Sequence, residues 1–312
     1  MSDSIDIISM GECLIELSTD ESMKYAEVFH KYFGGDTLNT MVAAARMGSK
    51  VGYITKIGND SFKDYLIDAI NSEDINTSYI KLVEGTNGLY MLSRQKSGKK
   101  EFAYYRKKSA ATSLSIDDID DEYIEQASIV YATGITQSLS NSSKNAVHKM
   151  FSIAKEKQCK VAYDPNYRPL LWSADEGKES LNDIIEYVDI IFLSDKLDGE
   201  KLLGISSPDK LIKHFWDLGV QIVVVKMSDY GSTIGYNGEI RFIPAYNVET
   251  VDVTGAGDAY NGGFLHGIVS GYNPFEAAAL AAVVAGLQVQ GLGAIRSIPN
   301  RKDVMSILEK KS

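Results

Sequence analysis

Residues 221–226 (Gln-Ile-Val-Val-Val-Lys) limit the fold more than any other part of the chain. Four successive apolar positions without polar alternation suit a strand covered on both faces, as in a parallel sheet between helical layers. Comparable short runs recur at 5–10, 51–57, 128–133, 160–164 and 190–194. Helical patterns alternate with them or follow them: 38–47 stopped by Gly48, a helix capped by Ser61 to about Asn71, 142–157, 177–187, 208–218, 259–271, 274–289 and 303–310. A chain of 312 residues can bury a large core. The rhythm predicts an α/β fold in three layers, with a mostly parallel sheet between two layers of helices.

Two pairs of segments break the rhythm. Residues 233–236 and 239–243 flank Asn237-Gly238, a pair suited to a type I′ hairpin. Residues 88–94 and 101–106 flank a polar turn holding Gly98, and place Tyr90, Leu92, Phe102 and Tyr104 on one parity. With 12–17, reached through a kink at Gly11, and the segment before Gly34, this second pair could form a small separate sheet. That sheet would be a lid, spanning about 12–33 and 86–108, over strand ends where open α/β sheets bind ligands. A surface hairpin is the alternative, but the density of Tyr90, Arg94, Phe102, Tyr104, Tyr105 and Arg106 favours a lid. No repeat or long linker divides residues 1–312, which read as one domain.

The sequence Asp252-Val253-Thr254-Gly255-Ala256-Gly257-Asp258 puts a glycine-rich turn at a helix start, with an acid on its first turn. Unpaired N–H groups and a positive dipole end make such a start a site for a phosphoryl anion. Gly255, Ala256 and Gly257 let the anion approach, and Asp258 can take a proton from an attacking hydroxyl. Its first-turn position should keep Asp258 ionised. The turn alone is equally compatible with an ordinary helix entry. The net charge of −10 argues against nonspecific binding to nucleic acid or an anionic membrane. Cys13 and Cys159 show no metal or redox spacing and read as core thiols of a reducing compartment. The apolar stretch 277–289 is too short to span a bilayer. The N-terminus runs straight into a strand rather than a signal peptide, so a soluble cytoplasmic protein is expected.

Gly34-Gly35-Asp36 with Asn39, and the late motif ending in Asp258, resemble the two signature regions of the ribokinase (PfkB) family of carbohydrate kinases. The resemblance covers essentially the whole chain. Within the family, Gly11-Glu12-Cys13-Leu14-Ile15-Glu16-Leu17, Phe33 to Thr40, Gly88-Leu89-Tyr90 and Tyr104-Tyr105-Arg106 are most similar to its kinases of 2-keto-3-deoxygluconate. Asp164-Pro165-Asn166-Tyr167-Arg168-Pro169 is shared with fructokinases. The resemblance implies a ribokinase-like fold with a β lid, ATP-dependent phosphorylation of a primary hydroxyl, and Mg²⁺ carried by the nucleotide. It implies Asp258 as catalytic base and Gly255, Ala256 and Gly257 as anion hole. Gly34, Gly35, Asn39, Tyr90, Tyr104, Tyr105, Arg106 and Arg168 match sugar-binding positions, and Asn166, Asp195, Lys226, Ser228 and Gly231 match the nucleotide side. An Asn-x-x-Glu element of many relatives is replaced by Asp195-Lys196-Leu197-Asp198, which leaves its metal role open. Some relatives bind a monovalent cation such as K⁺ near the late motif, where Asp252 and Thr254 could contribute.

A sugar acid on so acidic a chain needs local guanidinium groups. Arg106 and Arg168 are the candidates, each with ion pairing to a surface acid as its alternative. Lys226 closes an apolar strand and either meets phosphate or is simply solvated. Of Tyr104 and Tyr105, only one can point at a ligand. Rival readings are a fructokinase or nucleoside kinase, a sugar-acid sensor without turnover, and a dinucleotide-dependent dehydrogenase. The last lacks a Gly-x-Gly-x-x-Gly after the first strand. An exposed lid edge suggests a homo-oligomer.

Overall fold

The computed structural model describes residues 4–95 and 100–309. Ten strands form the main sheet. From one edge they run Glu239–Pro244, Gly231–Tyr236, Ile222–Lys226, Ile190–Ser194, Lys160–Asp164, Ala127–Thr133, Ile5–Met10, Val51–Gly58 and Ile75–Asn76, with Ile80–Val83 also on Val51–Gly58. All pairs are parallel except the two made by Gly231–Tyr236. Ile222–Lys226 is a core strand. Ile222 and Val224 face one apolar cluster and Val223 and Val225 the other.

The helices Asp36–Met47, Ala256–Val269 and Pro274–Gln288 cover the first face. Asn141–Glu156 and Pro208–Asp217 cover the second. Two helices that serve the site touch at glycine. A Cβ on Gly262 would lie 2.3 Å from the Thr40 carbonyl oxygen and 2.5 Å from Ala43 Cβ. Gly262→Ala should therefore destabilise the fold by about 1–3 kcal/mol, since neither backbone can yield cheaply. Urea unfolding checks this, and unchanged stability would contradict the close crossing.

A separate four-stranded sheet has the order His30–Gly34, Leu14–Thr19, Gly88–Arg94, Lys100–Tyr105. Tyr90 lies opposite Tyr104 and Leu92 opposite Phe102, as the shared parity requires. The expected turn holding Gly98 lies outside the described residues, as does Lys310 at the end of the last expected helix. Asn237 and Gly238 both have positive φ (50° and 75°), which a type I′ turn demands. Two of the helix starts that differ from expectation show why in their hydrogen bonds. Asp60, not Ser61, accepts the Phe62 N–H at 2.9 Å, and the helix begins at Lys63. Ser173 closes a capping box with Glu176, so the helix expected at 177–187 runs instead over Ala174–Asn182.

Candidate active site

Thr133, Asp164, Ser194 and Lys226 end four adjacent parallel strands, and their side chains mark one rim of the sheet. The late turn arrives at this rim. Gly255 is left-handed (φ 81°), and a Cβ there would lie 2.7 Å from Ala294 Cβ, so the turn is built for glycine. Ala256 N–H bonds the Val253 carbonyl at 3.2 Å, and Ala259 N–H bonds the Gly255 carbonyl at 2.8 Å. Between them, the Gly257 and Asp258 N–H groups are of the kind a helix start leaves without an internal acceptor. A Cβ on Gly257 would stand 3.6 Å from Lys226 Nζ. Lys226 is not a solvated strand end. It donates to Asp164 Oδ2 at 2.8 Å and Asn261 Oδ1 at 3.0 Å.

Asp258 accepts a bond from Asn39 Nδ2 at 2.8 Å. Burial pushes its carboxyl up to about 7, and Asp36 adds to this, while Asn39, Lys226 and Arg168 oppose it. The expectation of a readily ionised first-turn acid is therefore corrected: desolvation outweighs the helix start. Asp36 Oδ2 receives Thr133 Oγ1 at 2.6 Å and Asn166 Nδ2 at 3.0 Å. That bond turns Asn166, expected on the nucleotide side, toward Asp36.

Arg106 pairs with a buried acid and not with a surface one. Its Nη1 lies 2.8 Å from Glu12 Oε1, and Glu12 is 1% exposed. Burial pushes the Glu12 carboxyl up to about 7, against the pull of Arg106. Arg168 is exposed; its Nη1 donates to the Tyr167 carbonyl at 3.0 Å, and among the described residues it has no carboxylate partner. Tyr90 donates its hydroxyl to Glu16 and stacks on Tyr104 at 5.8 Å. A Cβ on Gly34 would be 3.3 Å from that hydroxyl and 3.5 Å from Asn39 Oδ1, which places Gly34, Gly35, Asn39 and Tyr90 together. Tyr105 pairs with Leu89 on the opposite parity to Tyr104 and is 64% exposed, so it is not brought to this group. Ser228 lies in the turn after Lys226, and Gly231 opens the strand that follows. Asp195 begins a wide π-helical segment, Asp195–Leu203. Asp198 is folded into the backbone, receiving N–H groups of Ser194 (2.6 Å) and Tyr167 (2.9 Å).

Four buried polar atoms on the residues of this group have no hydrogen-bond partner: Glu12 Oε2, Asp36 Oδ1, Asn39 Oδ1 and Arg106 Nη2. Buried groups of this kind are costly unless something binds them. The sequence marks Asp164, at a strand end beside Asn166, as a functional candidate, but it does not mark Glu12, Asp36 or Thr133 as site residues. For Glu12 and Glu16 a signal existed: two acids in the otherwise apolar segment 12–17, each 1% exposed in the fold. Asp252, expected as a cation ligand, is saturated by other donors. Its oxygens take Arg94 Nε (2.9 Å), Lys100 Nζ (2.8 Å), Thr254 Oγ1 (2.7 Å) and Gly293 N–H (3.1 Å). Despite burial, these bonds lower its carboxyl to about 2.

A helix start of the kind that suits an anion, beside an acid and a group of buried polar atoms without partners, is an arrangement suited to a phosphotransferase acting on a small hydroxylated molecule. The class is that of the sugar kinases. Residues 4–301 match the model of the pfkB family carbohydrate kinases, and the chain belongs to that family. It is 32% identical to a 2-dehydro-3-deoxygluconokinase of Thermoproteus tenax, covering 98% of this chain and 94% of the relative. It is 28% identical to Fructokinase-1 of Zea mays, over 97% and 98%. A putative ribokinase II of E. coli, solved in complex with ATP and Mg²⁺, shares the fold with a TM-score of 0.90 at 23% identity, over 98% and 99%.

Proposed function

We propose that the protein transfers the γ-phosphoryl group of ATP to the primary hydroxyl of 2-keto-3-deoxygluconate, or of its galactonate epimer, giving the 6-phosphate. The observation that carries this reading is the set of four unpartnered buried atoms together with the uncommitted guanidinium of Arg168. Three of the four are oxygens that sugar hydroxyls can satisfy. Arg106 Nη2 and Arg168 remain for a carboxylate. Gly34, Gly35, Asn39, Tyr90 and Tyr104 would complete the sugar side. The Gly257 and Asp258 N–H groups and Lys226 would receive the γ-phosphoryl, with Asp195, Ser228 and Gly231 at the nucleotide and Asp258 as base.

Mg²⁺ fits a role shared with the nucleotide. Among the described residues no group of three His, Cys, Asp or Glu side chains could hold an ion, so phosphate oxygens would supply most of its ligands. The small sheet formed by residues from about 12–33 and 86–108 would close as a lid over a single kinase domain. Its edge strand Lys100–Tyr105 exposes Phe102, Tyr104 and Tyr105, a surface suited to a second copy. No helix among the described residues is long and apolar enough to cross a membrane. Buried free thiols at Cys13 and Cys159 suit the cytoplasm.

A panel of 2-keto-3-deoxygluconate, its galactonate epimer, fructose, ribose and adenosine, each with ATP and Mg²⁺, tests the substrate. The keto-deoxy acids should give the highest kcat/KM; fructose equalling them would overturn the reading. Arg168→Ala should raise the KM for the acids by about 10- to 100-fold, the loss of one charge-assisted hydrogen bond. Its kcat/KM for neutral sugars should not move. Equal losses on both would remove Arg168 from carboxylate recognition.

A further inference from the structure

Beneath the late turn three oxygens converge on one point: the Thr254 carbonyl, the Gly293 carbonyl and the Ser297 hydroxyl. Gln288 Nε2 meets them at 2.8, 3.2 and 3.1 Å. Ser297 Oγ itself donates to the Gly293 carbonyl at 2.7 Å, so it offers Gln288 a lone pair. Chemistry therefore fixes the amide orientation, because the reverse would press Oε1 against three oxygens. Gln288 ends an almost wholly apolar helix, is fully buried, and leaves its own Oε1 without a partner. Such an arrangement is costly unless the donated bonds matter.

A ring of carbonyl and hydroxyl oxygens is also what a monovalent cation recruits. Here an amide nitrogen fills its centre. On the other side of Thr254 lies Asp252, whose oxygens accept the Thr254 N–H and hydroxyl and are already met by Arg94 and Lys100. These residues do not fit a monovalent cation.

We propose that Gln288, Arg94 and Lys100 take the place of a monovalent cation in this enzyme, and that they are positioning residues for the Gly255–Asp258 turn. Gln288 holds the Thr254 carbonyl from below. Arg94 and Lys100 hold Asp252, and through it the Thr254 amide, from the small sheet. Residue 254 is thus gripped on both sides directly before left-handed Gly255, whose conformation aims the Gly257 and Asp258 N–H groups. Arg94 Nη2 also binds Glu16 Oε1 at 2.9 Å, and the other Glu16 oxygen takes the Tyr90 hydroxyl. The tie therefore runs from the sugar side to the anion turn. It rests on sugar-kinase chemistry and not on which sugar acid is used.

Two measurements on the wild-type enzyme test it. With ATP, Mg²⁺ and the best substrate of the panel, kcat in potassium and in tetramethylammonium buffers of equal ionic strength should agree within about twofold, a difference well under 1 kcal/mol. The thermal midpoint, which needs no substrate, should be the same in both salts. A tenfold rise of kcat with K⁺, or a higher midpoint in K⁺ alone, would overturn the proposal. Gln288→Ala empties the centre of the oxygen ring. It should lose about 10- to 100-fold in kcat with little change in sugar KM, as expected when a preorganised turn is loosened. It should also gain a K⁺-dependent thermal midpoint that the wild type lacks. Retention of wild-type kcat in both salts would count against it. If that variant does not fold, the two wild-type measurements decide. Inactivity with every sugar of the panel would defeat the functional reading, while the salt dependence of melting would still judge this one.

Discussion

Asp258→Asn should lower kcat by about 100- to 10,000-fold, the usual worth of a positioned general base. The isosteric amide leaves the turn and its N–H donors in place, so the Kd for ATP should hardly change. A variant retaining a tenth of the wild-type rate would remove Asp258 from that role. The pH behaviour sharpens the test. With its carboxyl pushed up to about 7, the base is protonated in much of the free enzyme at neutral pH. The wild-type kcat/KM should rise with pH through about 7 and level off above, and the residual rate of the variant should lack that limb. Glu12 is raised as well, so only loss of the limb in Asp258→Asn assigns it. Stability should move the opposite way. A carboxyl raised in the fold above its ordinary value near 4 favours folding fully at low pH, and this contribution is lost as pH rises through 7. Asparagine cannot ionise. The variant and wild type should be about equally stable near pH 4. Above pH 8 the variant should be the more stable by on the order of 1–3 kcal/mol, moderated by the partial exposure of the residue. Urea unfolding at the two pH values reads this directly.

The layers were legible because burial on both faces leaves its mark on composition. The run Ile222–Lys226 could hardly belong anywhere but the middle of the sheet. The small sheet was legible for a related reason: period-two parity in Tyr90, Leu92, Phe102 and Tyr104 survives as cross-strand pairs. Partnerships across long sequence distances were not legible. Nothing in the string ties Arg106 to Glu12, Asn166 to Asp36 or Arg94 to Asp252, because polar partners meet wherever folding brings them together. Ionisation states were the least accessible of all. A first-turn acid is easily ionised in isolation. The same acid, desolvated by its surroundings and near Asp36, is not. Helix caps failed more mildly: Ser61 is a good cap by type, yet the helix starts at Lys63 with Phe62 at the cap position, and Asp60 accepts the Phe62 N–H.

Gly255→Ala should be nearly as damaging as loss of the base, for an unrelated reason. The residue is held at φ 81°, where a side chain costs roughly 1–2 kcal/mol. Its new methyl group would also stand 2.7 Å from the Ala294 side chain and 2.9 Å from the Ala294 main chain. The turn cannot relax by moving away, because Thr254 before it is bound to Asp252 and Gln288, and the helix start after it is packed on the core. The strain must therefore appear as a tilt of the first helical turn, which is where the Gly257 and Asp258 N–H groups are aimed. Misdirecting a preorganised donor of this kind costs about 100- to 1000-fold in kcat, with the KM for the sugar less affected because Glu12 and Tyr90, proposed for the sugar side, are not bonded to this turn. Adding Ala294→Gly should return only part of the rate, since it removes one clash and leaves both the left-handed backbone and the crowding against the main chain of residue 294. Full rescue by that second change would mean that crowding, and not the conformation of the turn, was the cause. No loss of rate in Gly255→Ala would mean that the anion is held somewhere other than this helix start.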